Sequence, residues 1–303
     1  MWVSSVDEVT EALATEGYLA DAGLSTSVFL AGRMQRPLLL EGEAGVGKTE
    51  VAKALARWTG GELIRLQCYE GLDAVQAVYE WDHARQLLHL RAAEAVGLAA
   101  GDTAEHLEGE LYTERFLIRR ALLRAIAPTH GAAPPVLLID EIDRADDEFE
   151  AFLLEVLAEY AITVPEMGTF RAEVPPLVVI TSNRTRDVHD ALKRRCLYHW
   201  VEHPDFDREV AIVRLRVPGV AESLARQVAA AVASLRAAGL YKTPGVAETI
   251  DWAEALATLG CTMLDEAFVQ ATLGTVLKYR EDQERVRALG FESLLRGAAS
   301  EAT

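Results

Sequence analysis

The sequence predicts a doubly wound α/β domain followed by a smaller all-helical one, and three observations predict it. Short apolar runs bounded by turn residues recur through the first two thirds of the chain, helical periodicity fills the stretches between them, and the strand-like runs stop after His203-Pro204. The runs are PLLLEG at 37–42, ELIRLQC at 62–68, PVLLID at 135–140 and PLVVITSN at 176–183. Each reads as a buried parallel strand, because a strand covered on both faces has no polar alternation. Helical patterns are read at Thr49 to Trp58, Thr113 to Ala127 and Phe149 to Tyr160. Four more follow the last strand: Asp207 to Val217, Val220 to Ala238, Val246 to Leu259, and a long one from Leu264 to about Arg287. Pro218-Gly219, Gly239 and Pro244-Gly245 fall between these helices, where breakers belong. The expected division is therefore 1–204 for the α/β domain and 205–303 for the helical one. The stretch GLAAGDTAEHLEGE at 97–110 is the best candidate for a mobile surface loop.

Composition narrows the function. The 303 residues include 30 basic and 47 acidic side chains, a net charge of −17. A sequence-independent nucleic-acid binder or a polybasic membrane-surface protein needs the opposite balance, which argues against nucleic acid as a partner. No apolar run approaches the roughly 18 residues of a membrane span, and the N-terminus lacks the basic and apolar regions of a signal peptide. Cys68, Cys196 and Cys261 are odd in number and far apart, which disfavours a disulfide framework and points to a reducing, cytoplasmic setting. His199 and His203 sit four apart with no third ligand type nearby and read as structural histidines.

The sharpest motif is Gly42-Glu43-Ala44-Gly45-Val46-Gly47-Lys48-Thr49, a complete G-x-x-x-x-G-K-[ST] match between a strand and a helix that goes on through Glu50. Glycines let the backbone fold tightly enough for successive N–H groups to converge on phosphates. The following helix start adds the positive end of its dipole. Lys48 then supplies a point charge to the β and γ phosphates of ATP, and the Thr49 hydroxyl can ligate the bridging magnesium. The run Val136-Leu137-Leu138-Ile139-Asp140-Glu141 supplies the expected acidic strand. Asp140 would hold the magnesium, and Glu141 would polarise the attacking water. Thr181-Ser182-Asn183 ends the next strand, beside the acidic one, where the Asn183 amide can orient the same water or touch the γ phosphate. Ten residues on lies the basic run Lys193-Arg194-Arg195.

Phosphate loop, acidic strand, Asn-ended strand, basic pair and helical domain, in that order, resemble an AAA+ ATPase, whose P-loop NTPase core carries a small helical lid. The segment Asp140-Glu141-Ile142-Asp143-Arg144-Ala145, followed by a helix and by Ile162 to Thr169, resembles the MoxR branch. RLQCYEGLD at 65–73 and TSNRTRDVHDALKRRCLYHW at 181–200 look most like its CoxD-type members. The resemblance implies a chaperone-like, hexameric ATPase that matures a metalloenzyme of the molybdenum hydroxylase or carbon monoxide dehydrogenase kind beside a von Willebrand factor A domain protein. It places Asn183 at sensor 1 and Arg195 at the arginine finger reaching a neighbouring subunit, with Arg194 as its alternate. It makes Ala161 to Val174 a hairpin insert turning at Glu166 to Gly168. One departure concerns sensor 2: Lys242-Thr243-Pro244-Gly245-Val246 has glycine where an arginine is expected, with Lys242 as a partial substitute. The competing classes are a small-molecule kinase, a nucleic-acid-associated motor, and a nucleotide switch that binds without efficient hydrolysis.

Overall fold

The computed structural model describes residues 4–95, 109–128, 133–292 and 294–295. Of the loop expected at 97–110, residues 97–108 lie outside the described ones. The chain forms two compact units. The first comprises Thr26–Leu40 and Leu55–His199; the second comprises Ser4–Ser25, Glu41–Ala54 and the chain from Trp200 onward.

The first unit carries a five-stranded parallel sheet. In chain order its strands are β1 (Leu38–Glu41), β2 (Leu63–Gln67), β5 (Val136–Asp140), β8 (Leu177–Ser182) and β9 (Leu197–Trp200), and in space they run β2-β5-β8-β1-β9. The inner strand β5, VLLID, is buried at every position, as its unbroken apolar run requires. At the edge, β2 alternates instead: Ile64 and Leu66 are buried while Arg65 and Gln67 are exposed. The expectation of a fully buried strand there is corrected, because an edge strand keeps one face open to polar side chains. β2 pairs β5 with Gln67 opposite Asp140, and β5 pairs β8 with Ile139 opposite Ile180. Thr181 therefore stands beside Asp140, and the functional residues gather at one end of the sheet by register alone.

Helix Asp147–Glu159 starts where the Asp146 carboxylate accepts the Phe149 N–H at 2.9 Å. Three acidic residues in its first turn suit the dipole. It ends at Tyr160, in the left-handed region at φ 47°, whose hydroxyl donates to the Gln35 carbonyl at 3.0 Å. The hairpin β6 (Ala161–Val164) and β7 (Gly168–Arg171) follows, with Gly168 at φ +86° in its turn. The stretch expected as one helix from Thr113 to Ala127 is instead a strand, β4 (Leu117–Arg119), and a six-residue helix, Ala121–Ile126. β4 pairs antiparallel with β3 (Tyr79–Trp81). A stretch apolar on nearly every side has no periodicity that separates helix from strand, so tertiary pairing decides it.

The second unit packs the helices Phe206–Arg216, Glu222–Ala237, Val246–Thr258, Glu266–Val276 and Arg280–Leu289 around Trp252, Val228, Leu235 and Leu273. The expected long helix from Leu264 breaks at Leu277 to Tyr279, where Leu277 is extended and buried. No glycine or proline marks that break; burial of Leu277 outweighs helical continuity. A buried bidentate pair, Arg236 with Glu209 at 2.7 Å, is completed by the Thr249 hydroxyl. Among the described residues, no helix is long and apolar enough to cross a membrane.

Candidate functional site

In the second unit, the loop from Gly42 to Gly47 leads into the helix Lys48–Thr59. Gly45 and Gly47 have φ +81° and +97°, a region that favours glycine. A Cβ at Gly42 would lie 2.4 Å from the Val201 carbonyl oxygen. Lys48 is buried, with its ammonium donating to the carbonyls of Gly42 at 2.8 Å and Glu43 at 2.6 Å. The glycine cradle and the buried ammonium at its foot fit a polyphosphate, for which the loop's N–H groups and Lys48 supply positive charge. Glu50 lies in the first turn of the helix and reaches Lys53 at 2.6 Å and Arg216 at 3.3 Å.

The same unit answers the question raised by the missing arginine. Gly245 precedes helix Val246–Thr258, and a Cβ there would lie 2.9 Å from both the Ala44 carbonyl oxygen and the Gly45 Cα. Glycine at 245 is what allows this helix start to lie against the phosphate loop. The Ala247 N–H donates to the Gly45 carbonyl at 3.2 Å. Glu43 is tied in as well, accepting from Thr243 at 3.1 Å and pairing with His203 at 3.3 Å. The bond to His203, with help from Thr243 and the Lys242 charge, holds the Glu43 carboxyl below its ordinary range despite partial desolvation. The backbone N–H groups of Tyr241 and Lys242 both donate to the buried Asp282. Lys242 thus sits on an anchored turn.

In the first unit the two carboxylates of the acidic strand meet different partners. Asp140 is buried; one oxygen accepts from the Thr181 hydroxyl at 2.6 Å and the other from Arg65 at 2.5 and 2.9 Å. Glu141 sits in the left-handed region at φ 57°, which turns the chain sharply into the short turn Ile142–Arg144. Its N–H donates to Thr181 Oγ1 at 2.9 Å, and its carboxylate accepts from Gln67 at 3.0 Å and Arg144 at 3.1 Å. The Asn183 N–H donates to Asp143 at 3.2 Å. Arg65, Gln67 and Asp143 were not among the residues expected here. The signal for the first two is their spacing of two on one face of an edge strand; Asp143 carries none beyond its place in the acidic run.

Arg194 and Arg195 end the helix Asp190–Arg195 and are both exposed. Arg195 donates to the Leu154 carbonyl at 3.3 Å and lines a cavity of about 760 Å³ with Val75, Phe152, Ile162 and Arg171. Arg36 caps the helix, donating to the carbonyls of Arg194 at 2.7 Å, Arg195 at 2.9 Å and Cys196 at 3.3 Å. Among the described residues, no group of three or more His, Cys, Asp or Glu is gathered as a metal cluster.

No curated protein is similar enough in sequence to match this chain. Among solved structures, similar folds include a candidate ATPase from Cytophaga hutchinsonii ATCC 33406, at 14% identity over 96% of this chain and 93% of that one, TM-score 0.47. A mutant of Thermotoga maritima RuvB matches at 16% identity over 93% of this chain and 76% of that one, TM-score 0.48. The Thermotoga maritima RuvB Holliday junction branch migration motor matches at 16% identity over 93% and 74%, TM-score 0.46. At this level the likenesses add nothing to the fold, which rests on the sheet order and on a family model. That model, AAA domain (dynein-related subfamily), matches residues 37–196, more than half of the chain, and the chain belongs to that family of AAA+ ATPases.

Proposed function

We propose that the chain is a magnesium-dependent ATPase of the MoxR branch that turns ATP and water into ADP and phosphate and uses the energy to remodel a protein client. The observation that carries this reading is the separation of roles at the acidic strand. Asp140 is buried and fixed by Thr181 and Arg65, as a magnesium-holding group should be, whereas Glu141 lies a residue further out on a sharp turn with its carboxylate held by neutral and cationic donors.

In this reading the loop Gly42 to Thr49, with Glu50 just beyond, takes the phosphates. Lys48 neutralises the β and γ groups, and Thr49 and Asp140 hold the magnesium. When bound, that ion would offset charge on the phosphates. Glu141 draws on a proton of the attacking water while the water oxygen bonds to the γ phosphorus and the bond to the bridging oxygen breaks. Asn183 orients that water. Arg195, or its neighbour Arg194, stabilises the developing charge at the site of an adjacent subunit. AAA+ proteins commonly form rings, and a hexamer is the assembly we propose. Residues 1–204 carry nucleotide chemistry and 205–303 act as the lid, with Lys242 and the helix start at Gly245 standing where a sensor arginine is usual.

The client we propose is a cytoplasmic metalloenzyme of the molybdenum hydroxylase or carbon monoxide dehydrogenase type, with a von Willebrand factor A domain protein as partner. Glu141→Gln should abolish turnover while nucleotide binding persists, and Lys48→Ala should weaken binding itself; equilibrium binding of a fluorescent ATP analogue beside phosphate release separates the two. Unchanged turnover in Glu141→Gln removes Glu141 from the mechanism. Pull-down with ATP-locked Glu141→Gln should recover a metalloenzyme; DNA or a replication factor would overturn the client assignment. A second reading, a nucleotide switch with little hydrolysis, draws support from Gly245 in place of the arginine. A wild-type rate no faster than spontaneous ATP hydrolysis, with nucleotide still bound, would favour it.

A further inference from the structure

Asp143 is nearly inaccessible, at 2% exposure, in the acidic run that also holds Asp140 and Glu141. Its carboxylate is fully engaged. One oxygen accepts the Asn183 N–H at 3.2 Å, and the other accepts the Thr185 N–H at 2.9 Å and the Thr185 hydroxyl at 2.7 Å. Between those two donors Arg184 is held at φ +55°, and its N–H bonds the Ser182 hydroxyl at 3.0 Å. A left-handed residue flanked by two converging N–H groups is a backbone nest for an anion, and here the anion is the chain's own carboxylate. A non-glycine residue stays in that region only where its surroundings over-determine it.

The same short turn grips the other side of the chemistry. Arg144, next to Asp143, donates to the Glu141 carboxylate at 3.1 Å. A second buried carboxylate, Glu150, continues the grip, accepting the His189 N–H at 2.8 Å and the Arg186 guanidinium, which also donates to the Ala145 carbonyl. The loop from Asn183 to His189 is thereby bound to the segment that begins at Glu141.

We infer that Asp143 is a positioning residue for hydrolysis: its carboxylate folds the Asn183-Arg184-Thr185 turn and sets Asn183 in register with Glu141. The inference rests on the hydrolytic reading of Glu141 and Asn183. Asparagine at 143 keeps the shape but presents an amide N–H₂ to one of the two backbone donors, so the nest loses an acceptor and gains a repulsion. A displacement of about 1 Å at a catalytic group can cost about 100-fold in rate.

In the full chain, Asp143→Asn should lower kcat about 10- to 100-fold while ATP KM and fluorescent-analogue affinity stay within about two-fold of wild type. Amide hydrogen exchange at Asn183 and Thr185 should accelerate in the same variant. Thr185→Val, which leaves the carboxylate in place, should give a smaller loss in the same direction, and Thr185→Ser should retain the wild-type rate. In an Asn183→Ala background, Asp143→Asn should add little further loss, because both act through one group. Unchanged exchange at Asn183, an unchanged kcat, or a fully additive loss would each overturn the inference. Wild-type turnover by Glu141→Gln would instead overturn the hydrolytic reading, and the exchange result would still report on the turn itself.

Discussion

Neighbouring residues of one composition take opposite environments here, and hydrogen-bond partners decide which. Asp140, Glu141 and Asp143 lie within four positions, yet they meet an arginine and a threonine, a glutamine and an arginine, and a backbone nest in turn. The cysteines give a direct check at this scale. Burial pushes the thiols of Cys68 and Cys196 up to about 12, with nearby carboxylates adding to the effect at Cys68. A raised thiol pKa leaves almost no thiolate at pH 8. Iodoacetamide should therefore label Cys68 and Cys196 only as the chain unfolds in urea, followed by peptide mass spectrometry. Rapid labelling of both in the native protein at pH 8 would contradict the burial described.

The helix Asp190–Arg195 shows why short elements need outside help. Six residues leave few internal hydrogen bonds, and Arg36 supplies its missing C-terminal partners with a planar fork. Arg36→Ala should lower stability by about 1–2 kcal/mol in urea denaturation, and Arg36→Lys should recover only part, since an ammonium cannot span the same carbonyls. An unshifted midpoint would show that the cap carries no stability. The elements legible in sequence were those with a single reading: the unbroken strand VLLID, the glycine-bounded phosphate loop, and helices with breakers between them. Thr113 to Ala127 was not, because its nine apolar residues fit strand or helix equally. The break at Leu277 was not, because its cause is a packing site rather than a breaker. Of the site, loop, acidic pair and Asn183 were readable as motifs. Arg36, Arg65, Gln67 and Asp143 were not, since what marks them is distant backbone carbonyls for Arg36, cross-strand register for Arg65 and Gln67, and distant backbone N–H groups for Asp143. Gly245 stands where the resemblance expects an arginine, and its lack of a Cβ admits a helix start against the loop.

At the scale of the whole molecule, a net charge of −17 coexists with a loop built for a polyanion. The field at the loop is set locally, by its amide groups and the buried Lys48 ammonium, and exposed charges farther than about 10 Å are screened at physiological salt. Arg194 and Arg195 are exposed at a helix end, and the proposal that one of them serves the site of a neighbouring subunit makes hydrolysis depend on assembly. The most direct test is the steady-state ATPase rate per chain as a function of protein concentration, beside the same series for Arg195→Ala. The account predicts a rate that climbs with concentration to a plateau as rings form, with Arg195→Ala low throughout although it assembles and binds ATP. A dilute monomer working at the plateau rate would contradict it.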